Sequence, residues 1–179
     1  MLFRSISAPI CAGPRKGGVI DMSLESVRAF FASHGLELPI LITKETTATV
    51  ATAAAAHGVS PGQIAKTLAF RLHEGRVILV VAAGDVRIDH GKFKATFGKG
   101  KMLSADEVVP LTGHPVGGVC PFGLATPLPI HLDQSLRAHT EMLPAAGSID
   151  SAVRISVELM AQLTQGVWVD VCTPPATPA

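Results

Sequence analysis

The stretch Ile64-Ala65-Lys66-Thr67-Leu68-Ala69-Phe70-Arg71-Leu72 constrains the fold more than any other. Successive side chains of a strand point to opposite faces. Ile64, Lys66, Leu68, Phe70 and Leu72 therefore share one face, while Ala65, Thr67, Ala69 and Arg71 share the other. Four large apolar groups predict that the first face is the buried one, which sets Lys66 among residues heading for the core. An ammonium there needs partners or a lowered pKa, because taking it unpaired out of water costs roughly several kcal/mol. The alternative is a lysine near a strand end that snorkels to solvent. Glu74-Gly75 reads as a hairpin turn, and the returning run Val77–Ala83 is continuously apolar, as in a strand covered on both faces. The two strands are the expected centre of a sheet.

Around that centre the punctuation is helical and short. Ser23 is an expected N-cap, with Leu24, Val27, Phe30 and Phe31 as the apolar stripe and Gly35 as the stop. Residues 38–42 read as a short strand or extended connection. Thr49 caps a second helix, Val50–His57, stopped by Gly58 and so rich in alanine that close packing on a neighbour is expected. Asp89 begins a helix through Phe97, with Phe93 and Phe97 on its inner side. Residues 102–103 form a brief strand, and Ser104 caps a helix over 105–109. Strands are expected at 130–132, 142–143, 152–156 and 167–171, with a helical turn over 135–139 and a helix over 157–163. Hairpins mixed with short helices, without regular βαβ alternation, predict an α+β fold. Residues 1–21, broken by proline and glycine, read as a disordered extension with Met22 as an alternative start, and 173–179 as a disordered tail. That leaves one domain over 22–172.

Composition narrows the function. Charged residues make up 16% of the 179 residues, below the usual ~25%, and 47% are apolar, so a well-buried core is expected. The longest apolar run falls far short of the ~20 residues that span a bilayer, which predicts no membrane partner. A net charge of +1 creates no overall field toward nucleic acid, and one Trp with no Tyr argues against a platform stacking many bases. A partner docking only one end of a nucleic acid stays open. Cys11, Cys120 and Cys172 are unclustered, which suits a reducing cytoplasm and predicts neither disulfides nor zinc. The seven His residues show no ligand spacing, so no metal is expected. Five of the fifteen Lys and Arg cluster at Arg87, Lys92, Lys94, Lys99 and Lys101. They are either a solvated face or a docking patch for a phosphate backbone.

The second unusual segment is Gly117-Gly118-Val119-Cys120-Pro121-Phe122-Gly123. Three glycines and a proline either bring the backbone close to a ligand or make a tight turn with a bulge. It is not a phosphate-binding loop, since neither G-x-x-x-x-G-K-[ST] nor G-x-G-x-x-G occurs. Cys120 has apolar neighbours, which raise a thiol pKa and disfavour a nucleophile. No G-x-S-x-G or paired carboxylates appear. Asp133, at a strand end before Ser135, is either an N-cap or a site carboxylate. An enzyme of this composition would act on an activated substrate with backbone groups, a lysine and water.

The series Gln63-Ile64-Ala65-Lys66-Thr67-Leu68, Gly113-His114-Pro115-Val116-Gly117-Gly118-Val119-Cys120-Pro121-Phe122-Gly123, Leu128-Pro129-Ile130-His131-Leu132-Asp133 and Ala146-Gly147-Ser148 resembles the YbaK/EbsC family, the prolyl-tRNA-editing-like aminoacyl-tRNA deacylases. The likeness covers about residues 23–170 in order. It implies a mixed, mostly antiparallel barrel-like sheet surrounded by helices. It also implies hydrolysis, in trans, of the ester joining a wrong amino acid to tRNA, with mischarged tRNA-Pro the expected substrate. No cofactor or metal is implied. The partners would be the aminoacyl-tRNA acceptor end and prolyl-tRNA synthetase. On that resemblance Lys66 grips the terminal adenosine or its phosphate, and the backbone of Gly117, Gly118 and Val119 contacts the amino acid and the developing oxyanion. Pro121, Asp133, Gly147, Ser148 and Thr46 are further candidates for the pocket, together with Thr47. Lys92, Lys94, Lys99 and Lys101 would receive the acceptor stem. A non-catalytic module of the same fold, binding tRNA ends or a synthetase, is the rival reading, and a thiol-dependent hydrolase using Cys120 is a third.

Overall fold

The computed structural model describes residues 20–174, with side chains from Ser23 onward. The fold begins with α1 (Ile20–Ser33), β1 (Ile40–Ile42) and α2 (Val50–His57), then a 3-10 turn at Pro61–Gln63. The hairpin β2 (Ile64–Leu72) and β3 (Val77–Ala83) follows, then β4 (Arg87–Ile88), α3 (His90–Phe97), β5 (Gly100–Met102) and α4 (Ala105–Thr112). After the glycine segment come β6 (Ile130–Asp133), a 3-10 helix (Gln134–Ala138), β7 (Glu141–Pro144), β8 (Ser151–Val153) and β9 (Ile155–Ser156). The order closes with α5 (Val157–Thr164), β10 (Val167–Val169) and β11 (Cys172–Thr173).

The main sheet runs β10-β6-β3-β2-β7-β9, and β5 also pairs with β2. β3 is buried along its whole length, as its unbroken apolar run requires. The β2–β3, β2–β5 and β7–β9 pairs are antiparallel; β3–β6, β6–β10 and β2–β7 are parallel. Two separate two-stranded antiparallel sheets, β1–β8 and β4–β11, accompany the curled, mixed main sheet, with helices around it. This is the α+β, barrel-like architecture expected from the sequence.

Local chemistry fixes the helices as anticipated, with instructive exceptions. Thr49 caps α2 by accepting from the Thr52 N–H, and Gly58 ends it at φ +63°. Ala53 and Ala54 pack on Ile64 and Leu143, so the alanine-rich helix does sit close to its neighbours. Phe93 of α3 lies on Phe70 of β2, ring centroids 4.7 Å apart. In contrast, α1 starts at Ile20 rather than at Ser23. Ser23 is buried within its first turn and donates from Oγ to the Gly147 carbonyl at 2.5 Å, so a tertiary bond takes the hydroxyl that was expected to cap. α4 continues through Pro110 to Thr112, and the expected strand over 152–156 breaks into β8 and β9 at Arg154. β4 and β11 are too short to show a period of two in the sequence. Thr173, expected at the head of the disordered tail, is instead paired with Arg87. Apart from Ile20, Asp21 and residues 173–174, both expected terminal extensions lie outside the described residues.

Candidate active site

A cavity of about 370 Å³ opens beside the middle of β2. Its walls come from the approach to α2 (Thr47 to Val50), from β2, from Met102 to Val108, from the Val116-Gly117 turn, and from β7 and β8. The position follows from strand pairing. β7 accompanies β2 only at Ile64 and Ala65, and β5 joins it only from Phe70. Between them one edge of β2 has no neighbouring strand, and the cavity occupies the interval. Most of the lining is apolar, with Ala48, Ala53, Ala65, Ala69, Ala105, Ala145 and Ala152 leaving room. Met102 and Val116, 55% and 56% exposed, make an apolar rim.

Lys66 belongs to this lining. Its amine is half-buried and donates to the carbonyls of Gly84, at 3.1 Å, and Val86, in the turn after β3. Desolvation holds its pKa below the usual lysine value, with Arg87 acting in the same direction and Cys172, Asp85 and Asp133 opposing. The strand is covered on both faces, since Ala65 and Ala69 are as buried as Ile64 and Phe70. The expectation of one buried and one open face is therefore replaced by a strand between two layers. Backbone carbonyls satisfy Lys66 without neutralising it, and two of its three donors are used.

The glycine segment contributes less open backbone than its composition suggests. Pro115 to Gly118 form a turn closed by the Gly118 N–H to the Pro115 carbonyl at 2.9 Å, with Gly117 at φ +88°. Gly117 faces the cavity, but a Cβ there would lie 2.9 Å from the Ala48 Cβ. A Cβ on Gly118 would lie 2.8 Å from the Ser148 carbonyl carbon, and Gly118 is buried off the cavity wall. These glycines let the protein's own segments meet, and only Gly117 and Val119 also reach the cavity.

A model of the aminoacyl-tRNA editing domain matches residues 44–163, which include the whole cavity wall. The chain belongs to the aminoacyl-tRNA editing domain family. It is 45% identical over 153 residues to the Bacillus subtilis (strain 168) protein YwhH, itself named as uncharacterized, covering 84% of this chain and 98% of that one. Among solved structures it is similar to hypothetical protein APE2540, with TM-score 0.77 and 34% identity over 83% of this chain and 99% of the other. It is equally similar in TM-score, 0.77, to a protein provisionally named as a trans-editing enzyme for prolyl tRNA synthetase, at 31% identity over 84% of this chain and 97% of that one.

Within this editing domain the other candidates separate. Asp133 is buried and caps the following 3-10 helix by accepting from the Ser135 N–H, and it also accepts from the Val171 N–H at 2.9 Å. Of its two readings, the cap is the one the geometry fits. Pro121, Gly147 and Ser148 are buried away from the cavity wall; Ser148 Oγ hydrogen-bonds to Asp150 at 2.5 Å and to Ser151 at 2.7 Å. Thr46 is exposed and does not line the cavity, whereas Thr47 does. Lys92 is committed to Asp170, at 2.7 Å, and to the Cys172 carbonyl. Lys94, Lys99 and Lys101 are exposed, and Lys101 stands on β5 next to the rim residue Met102. Cys120 is fully buried outside the cavity, with its thiol pushed up to about 12 by burial, which removes the chemistry a thiolate mechanism needs. Among the described residues, no group of three or more His, Cys, Asp or Glu side chains gathers as a metal site, and no helix is long and apolar enough to cross a membrane.

Sequence reasoning missed Thr67, Ala48, Met102, Val116 and Ser151 as wall residues. For Thr67 a signal was present: it is a polar residue flanked by two alanines on its face of β2, directly beside Lys66.

Proposed function

We propose that this editing domain is a free-standing deacylase, hydrolysing the ester of a mischarged tRNA, with tRNA-Pro as the expected carrier. The observation that carries the reading is the cavity itself. It is mostly apolar, roomy enough for an aminoacyl group, and lined by Lys66 and by Gly117 and Val119. An aminoacyl ester is already reactive, so holding it still beside oriented dipoles supplies much of what hydrolysis needs. Lys66 keeps one donor beyond its two carbonyl bonds, and that donor suits the phosphate or hydroxyls of the terminal adenosine. α2 begins at the cavity, and the positive end of its peptide dipoles favours the same anion. Backbone groups at Gly117 and Val119 contact the aminoacyl carbonyl, and water or a substrate hydroxyl attacks. The exposed Lys94, Lys99 and Lys101, the last of them next to the rim residue Met102, would receive the acceptor stem.

The relative provisionally named as a trans-editing enzyme for prolyl tRNA synthetase supports the tRNA reading and action in trans. The test is a panel of mischarged tRNAs incubated with the full-length protein. Release of the amino acid from at least one species is the expected result. Saturable binding without release from any of them would replace the deacylase with a binding module of the same fold.

A further inference from the structure

A groove of about 710 Å³ shares no lining residue with the cavity beside β2. Its walls come from the end of the 3-10 helix that follows β6, from the residues leading into β7, from α5 and from β10. Strand pairing assembles it. β10 lies parallel to β6 with Trp168 opposite Leu132, which sets Trp168 beside the 3-10 helix that β6 runs into. Arg137 of that helix lies over the Trp168 ring, 4.2 Å from its centroid. Trp168 is the one tryptophan of the chain.

The polar side chains of this groove have no use inside the protein. Arg71, Arg76 and Arg154 each pair with a glutamate. Arg137 does not, although Glu158 lines the same groove, and its guanidinium meets no acceptor among the described residues. The side chains of His139, Gln162 and Gln165, which also line it, form no hydrogen bond among the described residues either. A guanidinium held against an aromatic face offers a plane on its outer side and a fork of donors at its edge. The plane suits a flat base and the fork suits a phosphate, while the two glutamine amides carry donors and acceptors for a base edge. A protein partner is held instead by apolar anchors sunk into a desolvated recess. Val157 and Ala161 are the only aliphatic side chains in this lining, which is too little for such an anchor.

We infer that this groove binds one unpaired nucleotide of an RNA chain, with the base on the outer side of Arg137 and the adjoining phosphate on the guanidinium edge. The RNA is the tRNA of the deacylase reading, on which this assignment rests, and the groove is a second point of contact outside the aminoacyl cavity. The two places meet near the start of β2. His139 Nε2 and Asp85 Oδ2 crowd Gly62, 3.0 and 2.9 Å from where a Cβ would lie. The turn that carries Asp85 also supplies the Gly84 and Val86 carbonyls that hold Lys66. A nucleotide seated in the groove adds affinity for the tRNA without touching the ester. It therefore acts on KM and leaves kcat alone.

Because Trp168 is the only tryptophan, its fluorescence reports on this groove alone. The full-length protein is titrated with uncharged tRNA, with an unstructured oligoribonucleotide and with AMP. A saturable change in Trp168 emission is expected with both RNAs, and AMP should produce it only at far higher concentration. Arg137→Gln is expected to weaken tRNA binding by about 10-fold and to flatten its dependence on log salt by about 0.7. In deacylation it should raise KM with kcat and thermal midpoint unchanged. Arg137→Lys should restore the salt dependence and only part of the affinity, since an ammonium has the charge without the plane. Equal tRNA affinity in wild type and Arg137→Gln overturns the assignment, as does tRNA bound with no change in Trp168 emission. AMP binding as tightly as RNA overturns RNA as the occupant, and silence toward every nucleotide beside an active wild type hands the groove to a protein partner. An emission change with tRNA but no hydrolysis of any mischarged species keeps the groove and removes the deacylase. If the wild type neither binds nor hydrolyses tRNA, both readings fall.

Discussion

The two main walls of the cavity are built on opposite plans. On one side the glycine turn is jammed against its neighbours, with Gly117 on Ala48 and Gly118 on Ser148. On the other, one edge of β2 has no neighbouring strand between Ala65 and Phe70, with a half-buried amine and an unbonded hydroxyl on adjacent residues. The first wall is finished without a ligand, and the second is not. Glycine richness here reports how tightly the polypeptide packs on itself, while the gap in strand pairing marks where another molecule would complete the hydrogen bonding.

The largest effect that could break this contrast is steric. Gly118→Ala places a methyl 2.8 Å from backbone that has no room to step aside, so loss of about 3 kcal/mol or outright failure to fold is expected in thermal unfolding. Gly75→Ala, at positive φ (+88°) and in open space, should cost about 1 kcal/mol. Equal, small losses at both sites would mean that the glycine wall is not packed as described.

On the other wall, Lys66→Ala should reduce deacylation by roughly 100-fold or more. Only about 1 kcal/mol of stability should go with it, because the two carbonyls it releases, those of Gly84 and Val86, can be rehydrated in their turn. Steady-state kinetics beside a denaturant titration would separate the two, and a variant that still turns over sinks the role given to the amine.

The third prediction concerns pH and the support beneath the glycine wall. His114 is fully buried, accepts from the Cys120 N–H at 3.4 Å, and is held by burial down to about 4. Its neutral form is the folded one, so the unfolded state binds the extra proton between pH ~6.5 and ~4. Stability should therefore be complete above that window and fall by roughly 3 kcal/mol as pH drops through it. His114→Asn should flatten that slope in a pH series of unfolding measurements, even though the variant starts less stable.

The legible parts of the molecule were those written in local chemistry. The β2–β3 hairpin, the Thr49 cap with its Gly58 stop, and the inward Phe93 and Phe97 of α3 each follow from residues within a few positions of one another. The illegible parts depend on distant partners. Nothing near Ser23 indicates that its hydroxyl will reach Gly147, and nothing near Lys92 indicates that Asp170 will claim it. Asp133 reads as cap or site carboxylate from its neighbours in sequence, the cap favoured, and only the fold shows the N–H groups of Ser135 and Val171 donating to it together.

By itself the sequence determined the central hairpin, the helix boundaries set by caps and glycines, and the presence of a cation on a core strand, because periodicity and capping act over a single turn or pleat. Only the tertiary structure decided which edge of β2 stays open. That depends on where β7 stops and β5 starts, and those strands reach β2 from segments about 30 to 80 residues away in the sequence. The same long-range closure turned the glycines inward to pack and left Thr67 with nothing to bond.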